Sequence, residues 1–244
     1  TATDLLTEPG KQITKSTWDK IKKICVELKD KRPIQYILGK TEFYGLELRV
    51  NKHTLIPRQE TEELVDLIIR ENKKTGLKVL DIGTGSGAIA ISLYLSLNEA
   101  EVSATDISED ALIIARQNCK IHNCRISFKN DNILEFIPQG EELFDIVVSN
   151  PPYVRESEKI NMHENVLSYE PHSALFVPDS DPLKFYRAIG SSAIKLLKPG
   201  GHLYLEINEA LGNETGTLIS ETGFKDIRII KDLNNKDRIL KAVR

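Results

Sequence analysis

Cysteine, tryptophan and methionine are scarce in this chain: three, one and one among 244 residues. Cys25, Cys119 and Cys124 form neither an even disulfide framework nor a metal-ligand cluster, so reduced thiols at packed positions and no metal site are expected. No apolar run approaches the roughly 18 residues of a membrane-spanning helix. No secretory signal opens the chain either, which points to a cytoplasmic protein without membrane contact. A basic surplus is also missing, since 33 Lys and Arg face 36 Asp and Glu for a net charge of −3. Dedicated nucleic-acid binders carry the opposite balance, so no stable nucleic-acid binding is expected. Internal repeats and low-complexity tracts are absent. The chain starts at Thr1 without an initiator Met, as a trimmed sequence would. What remains is 40% apolar and 28% charged residues, enough for one large domain, or a medium domain with a small appendage.

Residues 1–40 read as helical and charged. Ser16 is placed to cap a helix whose apolar residues Trp18, Ile21, Ile24, Cys25 and Leu28 recur at three- and four-residue spacing, and Pro33 interrupts it. Alternation around Gly45 across residues 42–50 predicts a hairpin. A turn at residues 55–61 then leads into a helix burying Leu64, Leu67 and Ile68. The composition changes near residue 75. Strands at 78–82, 102–105, 126–129, 144–149 and 202–207 alternate with helices at 88–97, near 111–119 and 183–197, and around 209–221. Two last strands lie near 224–230 and 238–243. Such alternation predicts an α/β fold with a doubly wound parallel sheet and an antiparallel closing edge.

Two motifs sit at strand ends. Asp81-Ile82-Gly83-Thr84-Gly85-Ser86-Gly87 joins the first strand of the series to its helix. Its glycines permit a tight turn and close ligand approach, and the helix amino terminus favours a negative group. Asp106, one βαβ unit later, is placed to accept from ribose hydroxyls. Gly83, Gly85 and Ala88 also satisfy a dinucleotide fingerprint, which keeps a nicotinamide-dependent oxidoreductase as an alternative. The unbroken Gly-x-Gly-x-Gly run, with Asp81 placed to meet a ligand amino group, favours S-adenosylmethionine. Asp131-Asn132 suits either a base contact or a plain turn. The second motif, Asn150-Pro151-Pro152-Tyr153, follows the fourth strand. Its prolines offer carbonyls without N–H donors, Asn150 adds a carbonyl and Tyr153 a flat face, a set suited to gripping a planar NH2 group.

Together these segments resemble the Rossmann-like S-adenosylmethionine-dependent methyltransferases and, within them, the bacterial release-factor glutamine methyltransferases. The resemblance spans nearly the whole chain. It is carried by Arg32–Gly39, Phe43–Leu46, Ile56-Pro57-Arg58-Gln59-Glu60-Thr61-Glu62, the glycine loop, Asn150–Tyr153, Glu170-Pro171 with Ala174-Leu175, and Lys231-Asp232-Leu233. It implies a seven-stranded, mostly parallel sheet over residues 76–244, preceded by a hairpin and linker helix at 41–75. A helical segment at 1–40, shorter than the family's own, would dock the protein substrate. The chain departs from the family pattern at Phe176–Leu183, and Asn208 stands where a Gly is usual.

The resemblance further implies methyl transfer from S-adenosylmethionine, with S-adenosylhomocysteine as product, to the glutamine of the Gly-Gly-Gln motif of peptide chain release factors. The expected cofactor residues are Asp81, Gly83, Thr84, Gly85, Ser86, Gly87, Asp106, Asn132 and Asn150, and the enzyme is expected to be monomeric. Asn150, Pro151, Pro152 and Tyr153 would hold the substrate: the Asn150 oxygen and the Pro151 carbonyl accept its two N–H bonds while Tyr153 packs on the amide plane. No general base is needed, so His53, His163 and His172 read as surface or loop residues. The same motif serves a ribosomal-protein glutamine or an exocyclic amine of DNA or RNA, and both targets stay open on sequence grounds.

Overall fold

A computed structural model of the chain describes residues 14–136 and 143–244. The helix Lys15–Lys29, first among the described residues, is capped by Thr14, which accepts from the Thr17 N–H; Ser16, the expected cap, falls inside the first turn. None of its residues is buried, and Trp18 is 51% exposed. Cys25 is therefore exposed rather than packed, whereas Cys119 is buried and Cys124 half-buried. A short helix, Ile34–Leu38, leads into the hairpin of β1 (Lys40–Phe43) and β2 (Leu46–Arg49). The helix Gln59–Glu71 follows and buries Thr61, Leu64, Val65 and Ile68.

The central sheet contains β3 (Lys78–Ile82), β4 (Glu101–Asp106), β5 (Ile126–Asn130) and β6 (Phe144–Ser149). A small parallel pair, β7 (Val154–Arg155) and β8 (Phe176–Val177), stands apart from it. The sheet is completed by β9 (Leu197–Glu206), β10 (Lys225–Lys231) and β11 (Asp237–Val243), in the order β10-β11-β9-β6-β3-β4-β5. Five strands, β5 to β9 through β4, β3 and β6, run parallel. The antiparallel pairing expected at the closing edge is present, with β11 between β9 and β10 and antiparallel to both.

Two apolar layers hold the sheet. On one face the helix Ala88–Ser96 buries Ala88 through Leu93 without a break, because it lies between the sheet and the helix Gln59–Glu71. Phe43, Leu48, Leu64 and Ile68 share this cluster with Val79, Ile89, Leu93 and Val148, so the hairpin and the linker helix pack into the same core as the sheet. On the other face Tyr186, Ile189 and Ala193 of the helix Lys184–Leu196 meet Leu80, Val147, Leu203 and Leu205. Chain direction away from β3 reverses between β4 and β6, and an open α/β sheet forms a crevice at the carboxyl ends there.

Candidate active site

A cavity of 440 Å³ occupies that crevice, within the size range of small-molecule sites. The glycine loop forms one wall. Gly83 and Thr84 both donate to the Thr105 carbonyl, at 2.8 and 2.9 Å, which folds the loop over the end of β4. Gly83 and Gly85 have φ of +75° and +55°, and a Cβ on either would project into open space rather than onto protein atoms. The loop is thus a cradle that a side chain would fill and that a ligand can approach closely.

Asp106 fastens the loop to the next helix. Its Oδ2 accepts from the Gly85 N–H at 2.8 Å and its Oδ1 from the Ser108 N–H at 2.9 Å. Ser108 in turn caps the helix Glu109–Ile121 by accepting from the Ala111 N–H. Burial pushes the Asp106 carboxyl up, and these N–H bonds oppose that rise. Asn118, fully buried, ties the hairpin to the loop: it donates to the Ser86 and Arg49 carbonyls and accepts from the Arg49 N–H.

The opposite wall is Ser149-Asn150-Pro151-Pro152, and Asp131, Asn132, Ile133 and Leu134 line a third side. Asn132 opens a turn, accepting from the Leu134 N–H at 3.1 Å, and it lines the cavity. Arg58 reaches the rim, where it pairs with the buried carboxylate of Glu170; that carboxylate also accepts from the Ile56 N–H at 3.1 Å.

The structure brings Gly83, Thr84, Gly85, Ser86, Asp106, Asn132, Asn150, Pro151 and Pro152 to one cavity, and leaves Asp81, Gly87 and Tyr153 off its lining. Asp81 is wholly buried beneath the loop. Its Oδ2 accepts from the Thr84 hydroxyl at 2.6 Å, and burial raises its pKa to about 7 against that bond. Gly87 is turned toward Ile91 and Ala115. Tyr153 packs against the apolar cluster that holds Leu80, Tyr186 and Leu205, and its hydroxyl donates to Glu206 at 2.8 Å. Its position is fixed further by Asn208, which donates to the Tyr153 carbonyl at 3.0 Å. Of the histidines, His53 is half-buried and lines the cavity, whereas His163 and His172 are exposed.

Sequence reasoning assigned no role to Thr61 or Glu206. Asn150 Nδ2 donates to Thr61 Oγ1 at 3.1 Å, and Thr61 donates to Glu206 at 2.7 Å. The available signal was an acid ending the apolar strand Leu203-Tyr204-Leu205-Glu206, where a carboxylate is costly unless it is hydrogen-bonded.

A family model described as a methyltransferase domain matches residues 73–234. A release factor glutamine methyltransferase from Flavobacterium psychrophilum is 51% identical over 90% of this chain and 78% of its own length. The protein of the same description from Bacteroides thetaiotaomicron is 50% identical over 92% and 80%. Among solved structures, a methyltransferase from Pyrococcus furiosus shares the fold with a TM-score of 0.59 at 20% identity, over 82% of this chain and 89% of that one. With a methyltransferase-domain match over residues 73–234 and about half of the aligned residues identical over nine-tenths of its length, the chain belongs to the release factor glutamine methyltransferase family.

Proposed function

We propose that this enzyme transfers a methyl group from S-adenosylmethionine to the side-chain amide nitrogen of the glutamine in the Gly-Gly-Gln motif of peptide chain release factors. The observation that carries the reading is the meeting of the glycine loop and the Asn150-Pro151-Pro152 corner in one cavity at the switch point. The names of the 51% and 50% identical relatives supply the substrate class. Release factors are cytoplasmic, so the enzyme acts there.

The residues present suit the donor. Gly83 and Gly85 leave room for close backbone approach, and Asp106 offers a carboxylate at the cavity wall for hydroxyl groups. When bound, S-adenosylmethionine supplies an electrophilic methyl on a sulfonium. The protein's task is alignment, because an amide nitrogen is a poor nucleophile with its lone pair delocalised into the carbonyl.

Asn150 Oδ1 and the Pro151 carbonyl accept the two N–H bonds of the substrate amide. Asn150 has its own NH2 engaged by Thr61, which leaves the oxygen end for substrate. Proline at 151 and 152 keeps backbone donors out of the corner. As methyl transfer builds positive charge on the nitrogen, both acceptors bind it more strongly, so their contribution grows toward the transition state. The proton is lost after transfer, when the nitrogen is strongly acidic, and no side-chain base is required.

The test is transfer of labelled methyl to three purified acceptors: a release factor, the same factor with its Gly-Gly-Gln glutamine changed to Ala, and a glutamine-methylated ribosomal protein in unmodified form. Label in the first alone is expected. Label in the ribosomal protein alone would transfer the reading to that target, and equal label in both factors would exclude the motif glutamine.

A further inference from the structure

Glu206 closes β9 as a carboxylate only 1% exposed, and it does not line the cavity. Both its oxygens are taken. Oε2 accepts from the Thr61 hydroxyl at 2.7 Å and Oε1 from the Tyr153 hydroxyl at 2.8 Å. Burial raises the Glu206 pKa, while the Thr61 and Tyr153 hydroxyls and Arg238 favour its ionised form; as a carboxylate it accepts and does not donate, so the single hydrogen of each hydroxyl points at it. With its hydrogen committed, Thr61 Oγ1 can only accept from Asn150, and Asn150 Nδ2 donates to it at 3.1 Å. The polarity of the chain Asn150–Thr61–Glu206 is therefore dictated by its buried end. Among the described residues Asn150 Oδ1 makes no hydrogen bond, and Asn150 lines the cavity.

We propose that Glu206 is a positioning residue for methyl transfer: it sets the hydrogen-bond polarity that presents the Asn150 oxygen, rather than its NH2, to the substrate amide. The inference rests on the reading that Asn150 accepts from that amide. Two groups that each donate N–H repel, so an inverted Asn150 would oppose the substrate NH2. Through Tyr153 the same carboxylate steadies the residue that follows the Pro-Pro pair. Arg238 faces the assembly from β11, 3.4 Å from the Tyr153 hydroxyl and paired with Asp232 at 3.0 Å, and it offsets part of the cost of burying the acid.

Glu206→Gln keeps the shape and removes the polarity. With Tyr153→Phe in the background its NH2 has Thr61 as the one hydroxyl to donate to, so the Thr61 hydrogen is released to Asn150 Oδ1 and the amide turns over. The expected result is a fall in kcat on release factor of about tenfold or more, with the Kd for S-adenosylhomocysteine and the KM for release factor within about threefold of Tyr153→Phe alone. Thr61→Val should reproduce the loss and Thr61→Ser should restore most of the rate, because only the hydroxyl is required. Thermal unfolding of each variant establishes folding, and if Glu206→Gln with Tyr153→Phe does not fold, the Thr61 pair decides.

An independent readout is the side-chain 1H–15N pair of Asn150, identified by its disappearance in Asn150→Ala; it should shift in Thr61→Val, and in Glu206→Gln with Tyr153→Phe relative to Tyr153→Phe alone. Folded enzyme carrying Glu206→Gln with Tyr153→Phe, whose kcat stays within about twofold of Tyr153→Phe alone or whose Asn150 signals do not move, would overturn the inference. Wild-type enzyme inert toward release factor would instead sink the substrate assignment, and the Asn150 signals would then judge the positioning role by themselves.

Discussion

Asp106→Asn separates a carboxylate from its shape at the point where the glycine loop is held. In the wild type two backbone donors, from Gly85 at 2.8 Å and Ser108 at 2.9 Å, converge on the two oxygens. An Asn amide has one oxygen, so one of those N–H groups comes to face an NH2. Losing one charge-assisted bond costs about 1.5–3 kcal/mol, and the surviving bond weakens to the roughly 0.5–1.5 kcal/mol of a neutral pair. Part of that loss falls on the folded protein and part on the ligand, because Gly85 and Asp106 both line the cavity. A ligand hydroxyl donating to Asp106 also loses its charged acceptor, worth about 1–2 kcal/mol, or roughly a five- to thirtyfold weaker Kd. Calorimetric titration with S-adenosylhomocysteine, which cannot react, reads the change directly. A Kd within about twofold of wild type would refute the assignment of Asp106 as both loop anchor and ligand acceptor.

Other consequences can be checked alongside. Asn150→Ala removes an acceptor aimed at developing charge, so kcat should drop by about 10²–10³-fold while the Kd for S-adenosylhomocysteine changes by less than about threefold; steady-state kinetics with near-normal turnover would contradict the grip. Gly87→Ala places a Cβ 3.1 Å from Ile91 Cδ1 and 3.3 Å from Ala115 Cβ at a φ of +83°. It should cost about 1–3 kcal/mol, or roughly 2–4 °C of Tm per kcal/mol, and an unchanged Tm would refute the packing account. Burial lifts Asp81 from 3.8 to about 7, so between those values the native state holds a proton that the unfolded chain has released. Stability of the ligand-free enzyme should therefore fall as pH rises through that window. In Asp81→Asn this contribution to the dependence should vanish, and an undiminished slope of Tm against pH would exclude Asp81 as its source.

The parts of this enzyme that are legible in sequence are those written in short-range pattern. Strand and helix alternation carries the sheet, and Gly83 through Gly87 with Asp106 mark the turn and its partner strand. Side-chain direction is not written in spacing. Asp81 precedes the glycines at a distance that suits ligand contact, yet β3 turns it beneath the loop toward Thr84. Tyr153 continues the Asn-Pro-Pro run, but its hydroxyl is drawn away to Glu206. The relay behind Asn150 spans separations of 89 and 145 residues, which no local motif records. Periodicity in the helix Lys15–Lys29 is real, yet none of its residues is buried and Trp18, Ile21 and Leu28 are exposed, because a pattern specifies a face without specifying a partner.

The most direct test of the account is a crystal structure with S-adenosylhomocysteine and a release-factor fragment bearing the Gly-Gly-Gln glutamine. The glutamine side-chain nitrogen should lie within hydrogen-bond distance of Asn150 Oδ1 and the Pro151 carbonyl, with Asn150 Nδ2 still on Thr61. A glutamine amide held by other groups, or an Asn150 turned to present its NH2, would contradict it.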